Sequence, residues 1–285
     1  MLTRNIYGQF TEMYAQNAAT MFRSLAHTRE KWKHSPVAAS PHATFLTMMA
    51  CHTSSIEKLK AAITTLRQMR FATNTLVVIN SSDACLHDVL ERWVKTNMPD
   101  VQYYSVPNAS TLDSGKWYYY LTTHYKPQYN WVVFTNDSFI TTGSVNHYFN
   151  MMSRSNVELY GYNDSTMETY HYQSYLFGIC RDSIHKFVSH FEKVQSRLVT
   201  YMDVVRGIEL MLTRIVKKHD CFLHIARIPD NVEKNVFFNH DALYIPLLRM
   251  GLLPFYKLRR SREYHKHQKK LVASSTRLSL ANGMP

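Results

Sequence analysis

Glycine and acidic residues are scarce in this chain: 8 of the 285 residues are glycine, and 21 acidic residues face 33 lysines and arginines. No G-x-x-x-x-G-K-[ST] or G-x-G-x-x-G segment occurs, which excludes a P-loop and a classical dinucleotide-binding motif. The four cysteines lack C-x-x-C spacing, which argues against a zinc site or a redox motif. No apolar run approaches the roughly 18 residues that span a bilayer.

The composition is that of a folded protein, with 45% hydrophobic and 19% charged residues. A formal net charge of +12 suits nucleic acid, an anionic membrane surface or a phosphorylated substrate. Much of it lies in the run 257–270, which reads as a solvated tail or as a peripheral membrane contact; nucleic acid is the partner least favoured. We predict a cytoplasmic, membrane-peripheral protein.

Three regions follow from the pattern. Residues 1–42 are predicted to form a helical extension and linker, residues 43–258 a folded domain, and residues 259–285 a basic flexible tail. Within the domain, apolar strands are predicted at 45–50, 75–79, 101–106 and 131–135, and helices between them at 56–69, 87–95 and 115–125. Further helices are predicted over 184–194, 204–215 and 239–251.

The alternation of strand and helix predicts an α/β fold with a mostly parallel sheet, helices on both faces and a helical C-terminal segment. Ligands of such sheets bind beyond the carboxyl ends of the strands. All four predicted strands run into polar residues there, which favours a cleft for a polar ligand. The candidates for donor binding at these ends are His52, Asn80, Asp83, Asn108, Asn136 and Ser138.

Asp137 follows the fourth predicted strand and is the first candidate for a catalytic residue. A carboxylate there can hold a divalent cation such as Mn²⁺ or Mg²⁺ against a diphosphate, or accept hydrogen bonds from a sugar. The alternative is a capping residue of a following helix. The Asp-x-Asp pair that would strengthen the metal interpretation is absent, because Thr135 and Asn136 precede Asp137.

Asp113, Gly115 and Lys116 form a second cluster, after the third predicted strand. Gly115 would allow close approach of a phosphate, Lys116 would supply a cation, and Asp113 would bind a hydroxyl. A helix cap with a surface lysine is the alternative interpretation.

The segments 160–165 and 171–175 form a third cluster, and polar and aromatic residues alternate through 170–175. A strand over 170–175 would place His171, Gln173 and Tyr175 on one face. Asp164 and His171 are candidates for a general base, although a lone histidine is more often structural. The remaining candidates for the acceptor side are Tyr162, Gln173 and Glu209.

These clusters together resemble the rhamnan-synthesis F family of polysaccharide glycosyltransferases and similar bacterial and large-virus enzymes. The resemblance spans about residues 45–258. Ala109 and Ser110 depart from it, because the family has an early glycine in this motif. The matching segments are Asn108…Asp113-Ser-Gly115-Lys116-Trp117, Phe134-Thr-Asn136-Asp137-Ser138, Leu159-Tyr-Gly161-Tyr-Asn-Asp164, His171-Tyr-Gln173-Ser174-Tyr175, Glu209 with Leu212, and 239–256.

The resemblance implies a GT-A-like fold and transfer of a sugar, such as rhamnose, from a nucleoside diphosphate donor to a glycan acceptor. It also supports roles for Asp113, Lys116 and Asp137. Two other hypotheses stay open. One is a non-catalytic basic protein of the same fold that binds nucleic acid or an anionic glycan, and the other is a nucleotidyltransferase.

Overall fold

A computed structural model describes residues 43–141, 143–165, 168–223 and 255–257. The predicted extension at 1–42, the helix predicted over 239–251 and the basic tail at 259–285 lie outside these residues. None of the described helices is both long and apolar enough to cross a membrane.

Strands and helices alternate through the first half of the domain, as predicted. The strands are β1 (Phe45–Cys51), β2 (Thr75–Ser81), β3 (Gln102–Val106), β4 (Trp131–Asn136), β5 (Phe139–Thr141), β6 (Leu159–Ser165), β7 (His171–Tyr172), β8 (Leu176–Cys180), β9 (His219–Leu223) and β10 (Phe255–Lys257). The helices are α1 (Ile56–Met69), α2 (His87–Asn97), α3 (Leu112–Thr123), α4 (Asn146–Arg154), α5 (Ile184–Val194) and α6 (Tyr201–Gly207).

The central sheet has the order β3-β2-β1-β4-β8-β6-β7, with β9 paired to β6. Strands β1 to β4 are parallel, whereas β8 is antiparallel to both β4 and β6. A separate antiparallel pair joins β5 and β10. The predicted α/β class with a mostly parallel sheet is therefore confirmed.

Strand β1 lies at the centre of the fold because it is buried on both faces. All seven of its residues are buried, as expected for a parallel strand covered on two sides. Phe45 and Met49 pack into one cluster, beneath α1 and α2. Leu46 and Met48 pack into the other, beneath α3 and α5. The core is thus split by the sheet, and the carboxyl ends of β1 and β4 open at one edge.

Two predicted elements are wrong in their extent. The helix predicted over 204–215 ends at Gly207, and a short 3-10 turn over Glu209–Met211 follows. The helical spacing of apolar residues over 204–215 therefore belongs to a bent segment and not to one continuous helix. The strand predicted over 170–175 is reduced to β7, which pairs only with Asp164 and Ser165.

Candidate functional site

Asp137 lies at the carboxyl edge of the sheet, just beyond β4, and its side chain is buried. Its Oδ1 is 2.6 Å from Lys58 Nζ, and its Oδ2 accepts a hydrogen bond of 2.8 Å from the backbone N–H of His52. The chain continues from Asp137 into β5. The alternative that Asp137 caps a following helix is therefore wrong, and the carboxylate instead ties the end of β1 to α1.

Lys58 is a site residue that the sequence analysis missed. Ser55 caps α1 by accepting a hydrogen bond from the Lys58 backbone N–H, which fixes Lys58 in the first turn beside the end of β1. Its side chain is 32% exposed and lines the cavity described below. The amino-terminal end of a helix dipole favours anions, so a lysine in the first turn of a helix is unfavourable there. This unfavourable position is the feature of the sequence that could have identified Lys58 as a site residue.

Asp113 and Lys116 lie next to Asp137, on the first turn of α3. Asp113 Oδ2 accepts a 3.0 Å hydrogen bond from Asn136 Nδ2, and its Oδ1 is 3.9 Å from Lys116 Nζ. Burial raises the pKa of the Asp113 carboxyl, the Lys116 ammonium lowers it, and the Asp137 carboxylate raises it further. Two carboxylates and two ammonium groups, including that of Lys58, therefore form one coupled cluster.

Both oxygens of Asp137 have partners within the chain, Oδ1 the Lys58 ammonium group and Oδ2 the His52 backbone N–H. Among the described residues, the cluster of three potential metal ligands is His87, Asp88 and Glu91, and none of these lines the cavity. A divalent cation at Oδ1 would compete with Lys58, and the expectation that Asp137 holds Mn²⁺ or Mg²⁺ stays a prediction.

A cavity of about 440 Å³ opens beside the cluster. Its polar side includes Lys58, Asp113, Asn136 and Ser138, whose hydroxyl donates a 2.6 Å hydrogen bond to Asn136 Oδ1. The rest of the lining is partly apolar. It includes Tyr201, Val204, Val205, Ile208 and Trp117.

Glu209 lines the same cavity, together with Gln173 and Ser174. Its Oε2 accepts a 2.7 Å hydrogen bond from the Ser174 hydroxyl, and its Oε1 is 3.6 Å from His171 Nε2. The break after α6 at Gly207 turns the chain so that Glu209 faces inward. Of the predicted acceptor-side residues, Glu209 and Gln173 do line the cavity.

His171 is buried behind Glu209 and does not line the cavity. Its Nδ1 is 2.8 Å from the Thr169 carbonyl, and its Nε2 is 3.2 Å from Gln173 Nε2. The tautomer that carries its proton on Nδ1 satisfies both contacts, because Nδ1 then donates to the carbonyl and Nε2 accepts from the amide. A lone pair of His171 is thus held near the Glu209 carboxylate.

A second cavity, of about 220 Å³, lies on the other side of α3 and is lined by Gly115 and Lys116 among others. Leu112 lines both cavities and has a φ of 53°, a left-handed conformation that is costly for leucine. Gly115 is needed for packing, since a Cβ there would come within 2.0 Å of Thr111 Oγ1. The close contact with Thr111 is therefore a structural reason for glycine at this position. Close approach of a phosphate at Gly115 stays a prediction.

Four predicted donor-binding residues lie outside both cavities. Asn80 is buried, and its amide donates to Thr53 Oγ1 and to the Tyr103 hydroxyl. Asp83 and Asn108 are exposed. The backbone of His52 binds Asp137, which gives this residue a structural link to the cluster.

Asp164 and Tyr162 are also kept from the cavity. Asp164 is buried and accepts a 3.4 Å hydrogen bond from the Tyr170 hydroxyl. Tyr162 packs with Tyr148 and Phe222 in the core. Both lie on β6, whose residues 159–165 are all buried, so these two predicted site residues belong to a fully covered strand.

No family model and no curated protein matches the chain. Among solved structures, it is similar to 4-diphosphocytidyl-2C-methyl-D-erythritol synthase from Anaerococcus prevotii (9% identity, 64% of this chain, 89% of that chain, TM-score 0.44). It is also similar to the galactosyltransferase LgtC in complex with donor and acceptor sugar analogs (9% identity, 62% of this chain, 73% of that chain, TM-score 0.42). A third similar structure is the glycosyltransferase GlyE from Streptococcus pneumoniae (10% identity, 76% of this chain, 55% of that chain, TM-score 0.47).

Identities near 10% and TM-scores below 0.5 limit these similarities to the general arrangement of sheet and helices. The resemblance to the rhamnan-synthesis F family stays a prediction.

Proposed function

We propose that this protein transfers a sugar from a nucleoside diphosphate donor to a hydroxyl group of a glycan acceptor. One observation carries the proposal: a cavity of ligand size is lined both by residues of a lysine–carboxylate cluster and by the Glu209–Ser174 pair. Ligand sites of about 300–1,000 Å³ with few convergent polar groups are typical of small-molecule binding.

The donor end is the cluster around Lys58. Ammonium groups neutralise a diphosphate as it leaves with the electron pair of the broken bond, and Lys58 is the cation that lines the cavity here. A diphosphate would compete with Asp137 for Lys58, so donor binding would exchange one anionic partner for another. Lys116, which is buried and lines the second cavity, would act through Asp113. Asp113 and Asn136 would bind sugar or ribose hydroxyls.

The acceptor end is the wall with Glu209. The acceptor oxygen bonds to the anomeric carbon while the bond from that carbon to the diphosphate breaks, and the hydroxyl proton passes to Glu209. The Ser174 hydroxyl orients the carboxylate. This assigns the base to Glu209, which lines the cavity, and makes His171 a positioning residue for Gln173, whose amide lies 3.2 Å from His171 Nε2. Asp164 keeps no role in the transfer.

Lys58→Met tests the donor end, with Lys60→Met as its matched control, because Lys60 is an exposed lysine of the same helix. Calorimetric titration with nucleoside diphosphates should show at least about tenfold weaker binding for Lys58→Met. Binding of the matching monophosphate should change far less, and Lys60→Met should behave as the unmodified protein. Equal losses for both variants would contradict the assignment.

The reaction class is tested by incubating the protein with nucleoside diphosphate sugars, beginning with rhamnose donors as the family resemblance implies. Release of nucleoside diphosphate supports glycosyl transfer. Release of pyrophosphate from a nucleoside triphosphate and a sugar phosphate would favour a nucleotidyltransferase instead. Tight nucleic-acid binding with a steep salt dependence, and no saturable donor binding, would favour the non-catalytic binding protein.

A further inference from the structure

The ammonium group of Lys116 is buried without a close acceptor. The side chain of Lys116 is 4% exposed, and its ionic partner, Asp113 Oδ1, lies 3.9 Å from Nζ, beyond the length of a hydrogen bond. The described part of the chain supplies no acceptor at hydrogen-bond distance of this ammonium group. Buried charged groups normally have such partners, because water cannot replace them. An anion from outside the chain would therefore complete the surroundings of Lys116.

The second cavity gives such an anion access to Lys116. Lys116 lines this cavity of about 220 Å³ and does not line the larger one. Asp113, three positions earlier on α3, lines the larger cavity and not the smaller one. An anion in the second cavity would thus meet the lysine of this ion pair and not its carboxylate.

The start of α3 lines the same cavity, through Thr111, Leu112 and Gly115. The Thr111 side chain at this start makes no capping hydrogen bond, so it leaves the first N–H groups of the helix without that acceptor. Such N–H groups bind phosphate oxygens, and the positive end of the helix dipole adds to the attraction. The helix start and the buried ammonium group are two independent features that favour an anion in one cavity.

The size and the remaining lining of this cavity indicate a small organic anion. Its volume is about half that of the larger cavity and lies below the roughly 300–1,000 Å³ of typical ligand sites. Val106, Pro107, Ala109 and Tyr119 supply apolar and aromatic surface. A tyrosine ring combines a flat apolar face with a polar tip, which suits a body of the size of one sugar ring.

We propose that the second cavity binds a small phosphomonoester, with its phosphate at Lys116 and the start of α3 and its organic body against Pro107 and Tyr119. A phosphate group offers three strong acceptor oxygens, enough to bind an ammonium group and helix N–H groups together. This site is separate from the cavity assigned to the nucleoside diphosphate donor. It does not depend on sugar transfer being the reaction.

The test is calorimetric titration of the full-length chain with glucose 1-phosphate, and with glucuronate as a carboxylate of similar size. Lys116→Met removes the cation, and Lys126→Met is its control, because Lys126 is exposed and lines neither cavity. Ala109→Glu places a carboxylate at an exposed position of the cavity wall, with Ala109→Gln as its size-matched control. Lys58→Met distinguishes the two cavities.

Lys116→Met should bind glucose 1-phosphate at least about tenfold more weakly, and Ala109→Glu at least about fivefold. The Lys126, Ala109→Gln and Lys58 variants should bind it as the unmodified protein does, and glucuronate should bind more weakly. If Lys116→Met does not fold in thermal unfolding, Ala109→Glu decides. The proposal is overturned by no saturable binding to the unmodified protein, by unchanged binding to Ala109→Glu, by a loss in Lys58→Met or Lys126→Met, or by equal affinity for glucuronate.

Discussion

Two parts of the cavity lining balance their charges in different ways. Near β4, Asp137 lies against Lys58, and Asp113 lies near Lys116. Glu209 instead has a neutral hydrogen-bond donor, the Ser174 hydroxyl, as its partner. The first arrangement suits an incoming anion that can replace a carboxylate beside a lysine, whereas the second leaves a carboxylate able to accept a proton.

Glu209→Gln should have the largest effect on activity among the variants considered, and it should act on the Glu209 part of the cavity alone. It removes the proton acceptor while leaving the Ser174 contact possible, so transfer should fall by about 100-fold or more, the usual contribution of a general base. Nucleoside diphosphate binding should be unchanged in a calorimetric titration. Ser174→Ala, which keeps the carboxylate, should cost less than about tenfold; a loss equal to that of Glu209→Gln would indicate that the serine itself reacts.

Lys58→Met should lower the free energy of unfolding by about 2 kcal/mol, because it leaves the buried Asp137 carboxylate without its cation. Adding Asp137→Asn should recover much of that stability in chemical denaturation, since the amide carries no charge. The affinity of the double variant for nucleoside diphosphates should stay as low as that of Lys58→Met. If affinity recovered together with stability, the role of Lys58 as a phosphate ligand would be contradicted.

Gly115→Ala should disturb the Asp113 end and spare the Glu209 end. Its Cβ would meet Thr111 Oγ1 at 2.0 Å, so Thr111 must move, with a cost of about 1–2 kcal/mol. Thermal unfolding should show the loss, and Thr111→Ala in the same chain should recover most of it. A loss that persists in the double variant would place the cause in the helix backbone instead.

Glu158→Gln should have the smallest effect and leave both ends of the cavity unchanged. The Lys186 ammonium and the backbone N–H groups of Lys217 and Lys218 hold the pKa of the Glu158 carboxyl at about 2, below its ordinary 4.5. A lowered pKa stabilises the fold above pH 4.5, and this contribution is lost as the pH falls toward 2. The variant should lose about 1 kcal/mol at neutral pH after solvent screening and show a flatter acid limb; an unchanged acid limb would contradict this.

The parallel half of the fold could be predicted from the sequence because its signals are local. Strand β1 is apolar except at Thr47, and the spacing of α1 is that of one buried helix face. Polar residues after β4 correctly indicated the edge at which Asp113 and Asn136 meet. Their convergence follows from parallel strands that end on the same side of a sheet.

The rest of the site depends on contacts that no local pattern records. Lys58 meets Asp137 across 79 positions of sequence, and Glu209 meets Ser174 across 35. Helical spacing over 204–215 concealed the bend after Gly207 that turns Glu209 inward. Polar and aromatic alternation suggested a surface near His171, whereas the antiparallel partners of β6 and the packing of β9 bury that region.

Leu112 has a consequence beyond its own conformation. Leu112 lines both cavities, and its backbone has a φ of 53°. A ligand that displaced Leu112 in one cavity would therefore change the lining of the other. Occupancy of the two chambers would then be thermodynamically linked, with each ligand changing the affinity for the other by the same factor.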